Sequence, residues 1–157
     1  MNSLQYENSP LDKTDDKILS ALSENARITT AALARLVGLS APSVSERVKR
    51  LEEAGVIQGY TITINPAAFG RPISAWLRIR PTPGNYKKVV EVITNISEIV
   101  ECDRITGDDC FVARAHVSSM QELERVIDQL TPYGVTNTSI IQSSPIAPRM
   151  PPRTTSA

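Results

Sequence analysis

Cysteine, histidine and aromatic residues are scarce in this chain, and each scarcity removes a class of function. The 157 residues hold two cysteines, Cys102 and Cys110, and one histidine, His116. If residues 99–117 form a hairpin about Gly107-Asp108, position 102 faces 113, so the thiols are not opposite each other and no disulfide is expected. Cys102, Cys110 and His116 lack any close ligand spacing, so no metal site is expected. A single histidine, no nucleophile-and-base constellation and no phosphate-binding glycine loop speak against an enzyme and against a bound cofactor. Seventeen basic residues balance seventeen acidic ones. That neutrality speaks against a protein that coats nucleic acid by bulk electrostatics. No apolar run approaches a membrane span, and Met1 to Pro10 lacks the basic and apolar regions of a signal peptide. The expected placement is cytoplasmic, with no membrane partner.

What is present is enough apolar sequence for one ordinary domain or two small ones, with 41% hydrophobic residues. The neutral total also hides a local split. Between Arg27 and Arg50 five basic residues, Arg27, Arg35, Arg47, Lys49 and Arg50, face Glu46 alone, while residues 1–26 carry the acids. Such a local basic surface can meet phosphates in a salt-dependent way although the whole chain is neutral.

The most informative stretch is Ser40 to Leu51. Ser40 is a good N-cap and Pro42 falls in the first turn, where its missing N–H costs nothing. Val44, Val48 and Leu51 recur at helical spacing and predict one apolar stripe. The reading puts Ser43, Glu46, Arg47 and Arg50 on the outer side, where arginine can pair bidentately with guanine or clamp phosphate. A charged, solvated helix face is the plain alternative. The preceding Thr30 to Gly38 decides between them: a compact helix carrying Leu33, Leu36 and Val37 ends at a glycine suited to a left-handed turn. Helix, glycine turn, serine cap and basic helix make a helix-turn-helix. The candidate DNA-contacting residues are Ser40, Pro42, Ser43, Ser45, Glu46, Arg47, Lys49 and Arg50.

Taken in order, residues 1–10 read as a flexible arm. Leu11, Ile18, Leu19 and Leu22 predict a first helix, with Asp12 as its N-cap and Asp15 adding negative charge to the first turn. Val56 to Ile64 switches to a strand-like pattern after Gly55, giving a winged helix-turn-helix domain with a minimal wing over residues 11–64. Asn65-Pro66 and Phe69-Gly70-Arg71-Pro72 break both periodicities and mark a linker at 65–72. From Ile73 to Arg80, Ile73, Ala75, Leu77 and Ile79 alternate with Ser74, Trp76, Arg78 and Arg80, a strand whose second face carries a tryptophan. A helix is expected over Tyr86 to Ile96, and strands over Ile99 to Ile105 and Cys110 to Val117, joined by Thr106-Gly107-Asp108-Asp109. Ser119-Met-Gln-Glu122 is a capping box opening a helix through Leu123, Val126, Ile127 and Leu130. Pro132 and Gly134 end it, and Val135 to Ser143 is the last strand. Residues 73–143 therefore read βαββαβ, a ferredoxin-like domain with helices on one face of a four-stranded sheet, and residues 144–157 form a Pro-rich tail. The fold class is α+β. The other sheet face is bare, and Trp76 on it suggests burial against the same sheet of a second subunit; a single exposed aromatic is the alternative.

Leu11-Asp12, Asp15, Ile18-Leu19, Arg27-Ile28, Leu33-Ala34, Gly38-Leu39-Ser40, Val44, Arg47 to Glu52 and Gly55 to Tyr60, in that order, resemble the Lrp/AsnC family, the feast/famine transcriptional regulators. The resemblance runs from about Leu11 to Ser144. It implies a winged-helix DNA reader joined to an amino-acid-responsive ferredoxin-like domain, dimers made by sheet-to-sheet packing, and octamers of four dimers. It also implies an effector site at contacts between dimers, near the turn of the central hairpin and on the last strand. Here those positions are Thr106, Gly107, Asp108, Asp109, Thr136 and Thr138. A carboxylate there can hold an α-ammonium, and N–H groups at a glycine turn can hold an α-carboxylate. Many members have an aspartate where this chain has Cys110; Asp109 can supply the charge instead. A solvated hairpin turn with no ligand is the alternative.

The functional expectation is a sequence-specific, double-stranded-DNA-binding transcriptional regulator that responds to an amino acid or related small metabolite. The alternative is an effector-independent architectural DNA-binding protein of the same fold.

Overall fold

A computed structural model describes residues 11–152, so the expected arm at 1–10 and the end of the Pro-rich tail lie outside the described residues. Contacts divide the described residues into two units, with boundaries after Thr63 and after Pro145; residues 146–152 group with the first.

The first unit is three helices: α1 (Lys13–Glu24), α2 (Thr30–Val37) and α3 (Ala41–Glu53). Their apolar stripes meet in one cluster of Ile18, Ala21, Leu33, Ala34, Val44 and Leu51. Each fully buried Ile or Leu side chain there contributes about 1.5–3 kcal/mol. The helix starts follow side-chain chemistry. Asp12 caps α1 by accepting from the N–H groups of Thr14 and Asp15, both at 2.8 Å, while the Asp12 N–H donates back to Asp15 at 3.1 Å. Ser40 caps α3 by accepting from the Ser43 N–H. Between α2 and α3, Gly38 takes the left-handed conformation with φ 73° that the turn requires and that side chains disfavour.

After α3 the strand predicted over 56–64 does not form. Residues 58–64 belong to no helix or strand, and Ile62 is 75% exposed. The alternation of Tyr60, Ile62 and Ile64 is real, but a strand also needs a ladder partner, and none is assigned among the described residues.

The second unit begins with a single 3-10 turn at Pro66–Phe69, inside the expected linker. Then follow β1 (Ile73–Pro81), α4 (Tyr86–Asn95), β2 (Ile99–Arg104), β3 (Phe111–Val117), α5 (Met120–Leu130) and β4 (Gly134–Ile140). The sheet order is β2-β3-β1-β4, and every neighbouring pair is antiparallel. This is the expected βαββαβ topology, with β4 three residues shorter at its end than predicted. Ala75, Leu77 and Ile79 of β1, with Phe111, Ala113, Ala115 and Val117 of β3, pack against Val89 and Ile93 of α4 and Leu123, Val126 and Leu130 of α5. Trp76 pairs with Arg114 in the ladder, and the guanidinium lies 5.5 Å from the indole on the face opposite that core. Cys102 pairs with Ala113, as the hairpin register requires, and both thiols are free. Among the described residues no helix is long and apolar enough to cross a membrane.

Candidate nucleic-acid interface and effector site

The amphipathic design of α3 places Val44 and Leu51 in the core and leaves Pro42, Ser43, Ser45, Glu46, Lys49 and Arg50 exposed, with Ser40 exposed at the cap. Seven of the eight candidate DNA-contacting residues thus lie on accessible surface. The hydroxyls of Ser40 and Ser43 are 2.8 Å apart, so the first turn is organised by its own cap. Lys49 faces Glu53 one turn on, at 3.6 Å and in solvent, a pairing weak enough to leave the ammonium available.

Arg47 departs from the expectation of an outward-facing side chain. It lies on the flank of α3 next to α1, where its Nη1 donates to Asp12 Oδ2 at 2.6 Å and to Asp15 Oδ1 at 2.9 Å. Its side chain is 28% exposed, against 54% for Arg50. Arg50 Nη2 reaches both oxygens of Asp15, at 3.0 and 3.1 Å. These contacts explain the local electrostatics. The Asp15 N–H and the Arg47 guanidinium hold the Asp12 carboxyl down at about 2, and hydrogen bonds from Arg47 to Asp12 and Asp15 raise the Arg47 value.

The candidate effector residues fall into two sets on opposite faces of the sheet. Thr106, Gly107, Asp108 and Asp109 form the loop between β2 and β3. It is closed by an Ile105 N–H to Cys110 carbonyl bond of 2.9 Å and tied to β1 by a Cys110 N–H to Ile79 carbonyl bond of 3.0 Å. Gly107 has φ 112°, a conformation open to glycine. Asp109 lies 4.0 Å from Arg78 Nε and 3.9 Å from Arg80 Nε, and Asp108 lies 3.6 Å from Arg80 Nη2. Thr136 and Thr138 of β4 instead pair with Ile79 and Leu77, so they face the helix-covered side. Within one chain the loop and the two threonines are therefore not brought together.

Sequence reasoning missed three partners, Asp15, Arg78 and Arg80. Asp15 was legible only as a charge in the first turn of α1, with nothing to link it to α3. Arg78 and Arg80 stood in the β1 alternation beside Trp76, and that period of two was the signal that could have found them.

Residues 11–58 match the family described as winged helix-turn-helix DNA-binding, and residues 74–151 match the Lrp/AsnC ligand binding domain. The chain is 32% identical over 133 residues to the HTH-type transcriptional regulator LrpC of Bacillus subtilis, covering 85% of this chain and 92% of the relative. The solved structure of that B. subtilis protein superposes with a TM-score of 0.82 at 31% identity, covering 87% of this chain and 97% of the other. A feast or famine regulatory protein from Mycobacterium tuberculosis, solved with L-methionine, is similar at TM-score 0.82 and 31% identity, covering 90% and 98%. A transcriptional regulator of Neisseria meningitidis, also in complex with L-methionine, is similar at TM-score 0.84 and 26% identity, covering 90% and 97%.

Proposed function

Because the chain belongs to the Lrp/AsnC family of transcriptional regulators, we propose that it reads double-stranded DNA with the exposed edge of α3 and adjusts that reading to an amino acid. It acts by binding rather than by catalysis, in the cytoplasm. Residues 11–64 form the reader, 65–72 the linker, and 73–143 the effector-binding and oligomerisation unit.

The observation that carries the reading is α3 itself: a capped helix after a left-handed glycine turn, with Ser43, Lys49 and Arg50 exposed on the side away from its core. One such helix covers half a site, so a dimer joined through the sheet face around Trp76 supplies the second reader. Four dimers in an octamer would bring the loop of one dimer, Thr106 to Asp109, toward Thr136 and Thr138 of the next. Methionine is the first effector to try, because it is bound in two similar regulators.

Selection of bound duplexes from fragmented genomic DNA, with and without a panel of amino acids, tests both halves. A roughly palindromic consensus whose occupancy changes with one amino acid supports the proposal. Binding without sequence preference refutes it. The effector-free architectural reading draws support from Asp108 and Asp109, whose charges already have Arg78 and Arg80 beside them. It predicts a consensus that no amino acid alters.

A further inference from the structure

Asp15 does more than complete a helix cap. It is 1% exposed, the only charged residue among the described residues that is buried. Its two oxygens make four contacts with three donor nitrogens: the Asp12 N–H at 3.1 Å, Arg47 Nη1 at 2.9 Å, and Arg50 Nη2 at 3.1 and 3.0 Å. A buried carboxylate is costly to strand, so this arrangement resists any rotation of α3 that would pull either guanidinium away.

Arg47 and Arg50 sit one turn apart on α3, and both are tied to the same carboxylate at the start of α1. Their situations differ. Arg47 spans Asp12 and Asp15 and is mostly covered, whereas Arg50 is more than half exposed, and both of its contacts run through Nη2. Asp15 engages neither Nε nor Nη1 of Arg50; these two donors point to different sides of the guanidinium, so each can serve singly a base-edge acceptor or a phosphate oxygen.

We propose that Asp15 is a positioning residue for DNA reading: it sets the rotation of α3, uses Arg47 as the tether, and presents Arg50 in a fixed pose as the reader. This rests on α3 being the DNA-reading helix. Specific recognition depends on pose, since a base edge accepts a narrow geometry, whereas phosphates accept many. Removing the negative charge should therefore harm specific binding and spare binding to arbitrary sequence.

The test uses the full chain, a duplex selected by it and a scrambled duplex, with affinities measured over a range of salt. For Asp15→Asn the selected duplex should bind about 10- to 100-fold more weakly. The scrambled duplex should bind within about twofold of the original or more tightly, because a negative charge has left a basic surface. Parallel losses on both duplexes, together with a lower unfolding midpoint, would mean that Asp15 only holds the fold, and parallel gains would mean that it only neutralises. Either overturns the proposal. If Asp15→Asn does not fold, Asp12→Asn removes one tether of Arg47 at an exposed cap and should show the same asymmetry at about threefold. A second round of selection with Arg50→Met should lose preference at one base position, and one with Arg47→Met should weaken binding with the consensus kept. The reverse pattern refutes the division of labour. If the unaltered chain prefers no duplex over the scrambled one, the DNA-reading assignment itself falls, a result separable from any variant.

Discussion

Gly134 opens β4 opposite Pro81 and is buried, and the space beside it is already filled. A β-carbon built there would stand 2.7 Å from the Arg80 carbonyl oxygen, 3.2 Å from its carbon and 3.2 Å from the Pro81 Cα. All three obstacles are main chain of the central strand. They cannot swing aside as a flexible side chain would, and the same end is pinned by the Thr82 N–H to Tyr133 carbonyl bond of 2.9 Å. Gly134→Ala therefore forces β4 away from β1. Replacing glycine stabilises by about 0.4–1 kcal/mol through the unfolded chain, but overpacking of this kind costs about 1–3 kcal/mol. The steric cost wins, and a net loss of about 1–2 kcal/mol is expected. Trp76, the only tryptophan of the chain, lies in β1 and reports this unit directly by fluorescence during urea unfolding. Lys87→Ala, at an exposed position of α4, is the control and should stay within about 0.5 kcal/mol of the parent. An unfolding midpoint for Gly134→Ala equal to or above that of Lys87→Ala would refute the reasoning.

Trp76→Arg should convert the dimer to monomers in sedimentation while the three-helix unit keeps its helical circular dichroism; an unchanged sedimentation coefficient would move the subunit contact elsewhere. Asp109→Ala should abolish the amino-acid response and leave ligand-free DNA affinity within about twofold, because Asp109 belongs to the second unit and the reader helix to the first; a retained response would clear this carboxylate of the role. His116, whose Nδ1 lies 2.8 Å from Ser74 Oγ, has its value lowered by burial and by the charges of Arg114 and Arg71. Its neutral form is thus favoured on folding. The associated stability is present above the unfolded value of about 6.5 and is lost as pH falls through the lower folded one. Urea midpoints reported by Trp76 should decline from pH 7.5 to 5, and His116→Gln should flatten that slope; an unaltered slope would assign it to other groups.

Order and type of the elements were readable because each is signalled locally. Ser40 with Pro42 announces α3, Gly38 announces the turn, and the β1 alternation separates Ala75, Leu77 and Ile79 from Trp76, Arg78 and Arg80. What failed were statements that depend on a distant partner. The Val44, Val48, Leu51 stripe locates the core side of α3, yet whether Arg47 is outer face or flank depends on Asp15, 32 residues earlier. Period two puts Thr136 and Thr138 on a common face, but only pairing with Ile79 and Leu77 reveals that it is the helix-covered one. Likewise Tyr60, Ile62 and Ile64 have the rhythm of a strand, and rhythm does not supply a neighbour.

The pairing of β1 with β4 also has a consequence in time. Synthesis runs from the N-terminus, and the three helices need only one another, through contacts close in sequence, so they can close their core soon after Ile57 is made. The central strand must wait: Ile73–Pro81 emerges early, gains β3 only with Phe111–Val117, and lacks its second neighbour until Gly134–Ile140 follows, more than fifty residues later. At typical elongation rates of about 5–20 residues per second, that leaves an interval of several seconds in which a finished reader is attached to an open, apolar half-sheet. During it the nascent chain is at its most vulnerable to wrong strand partners, and slowing translation over residues 82–134 would lengthen that exposure.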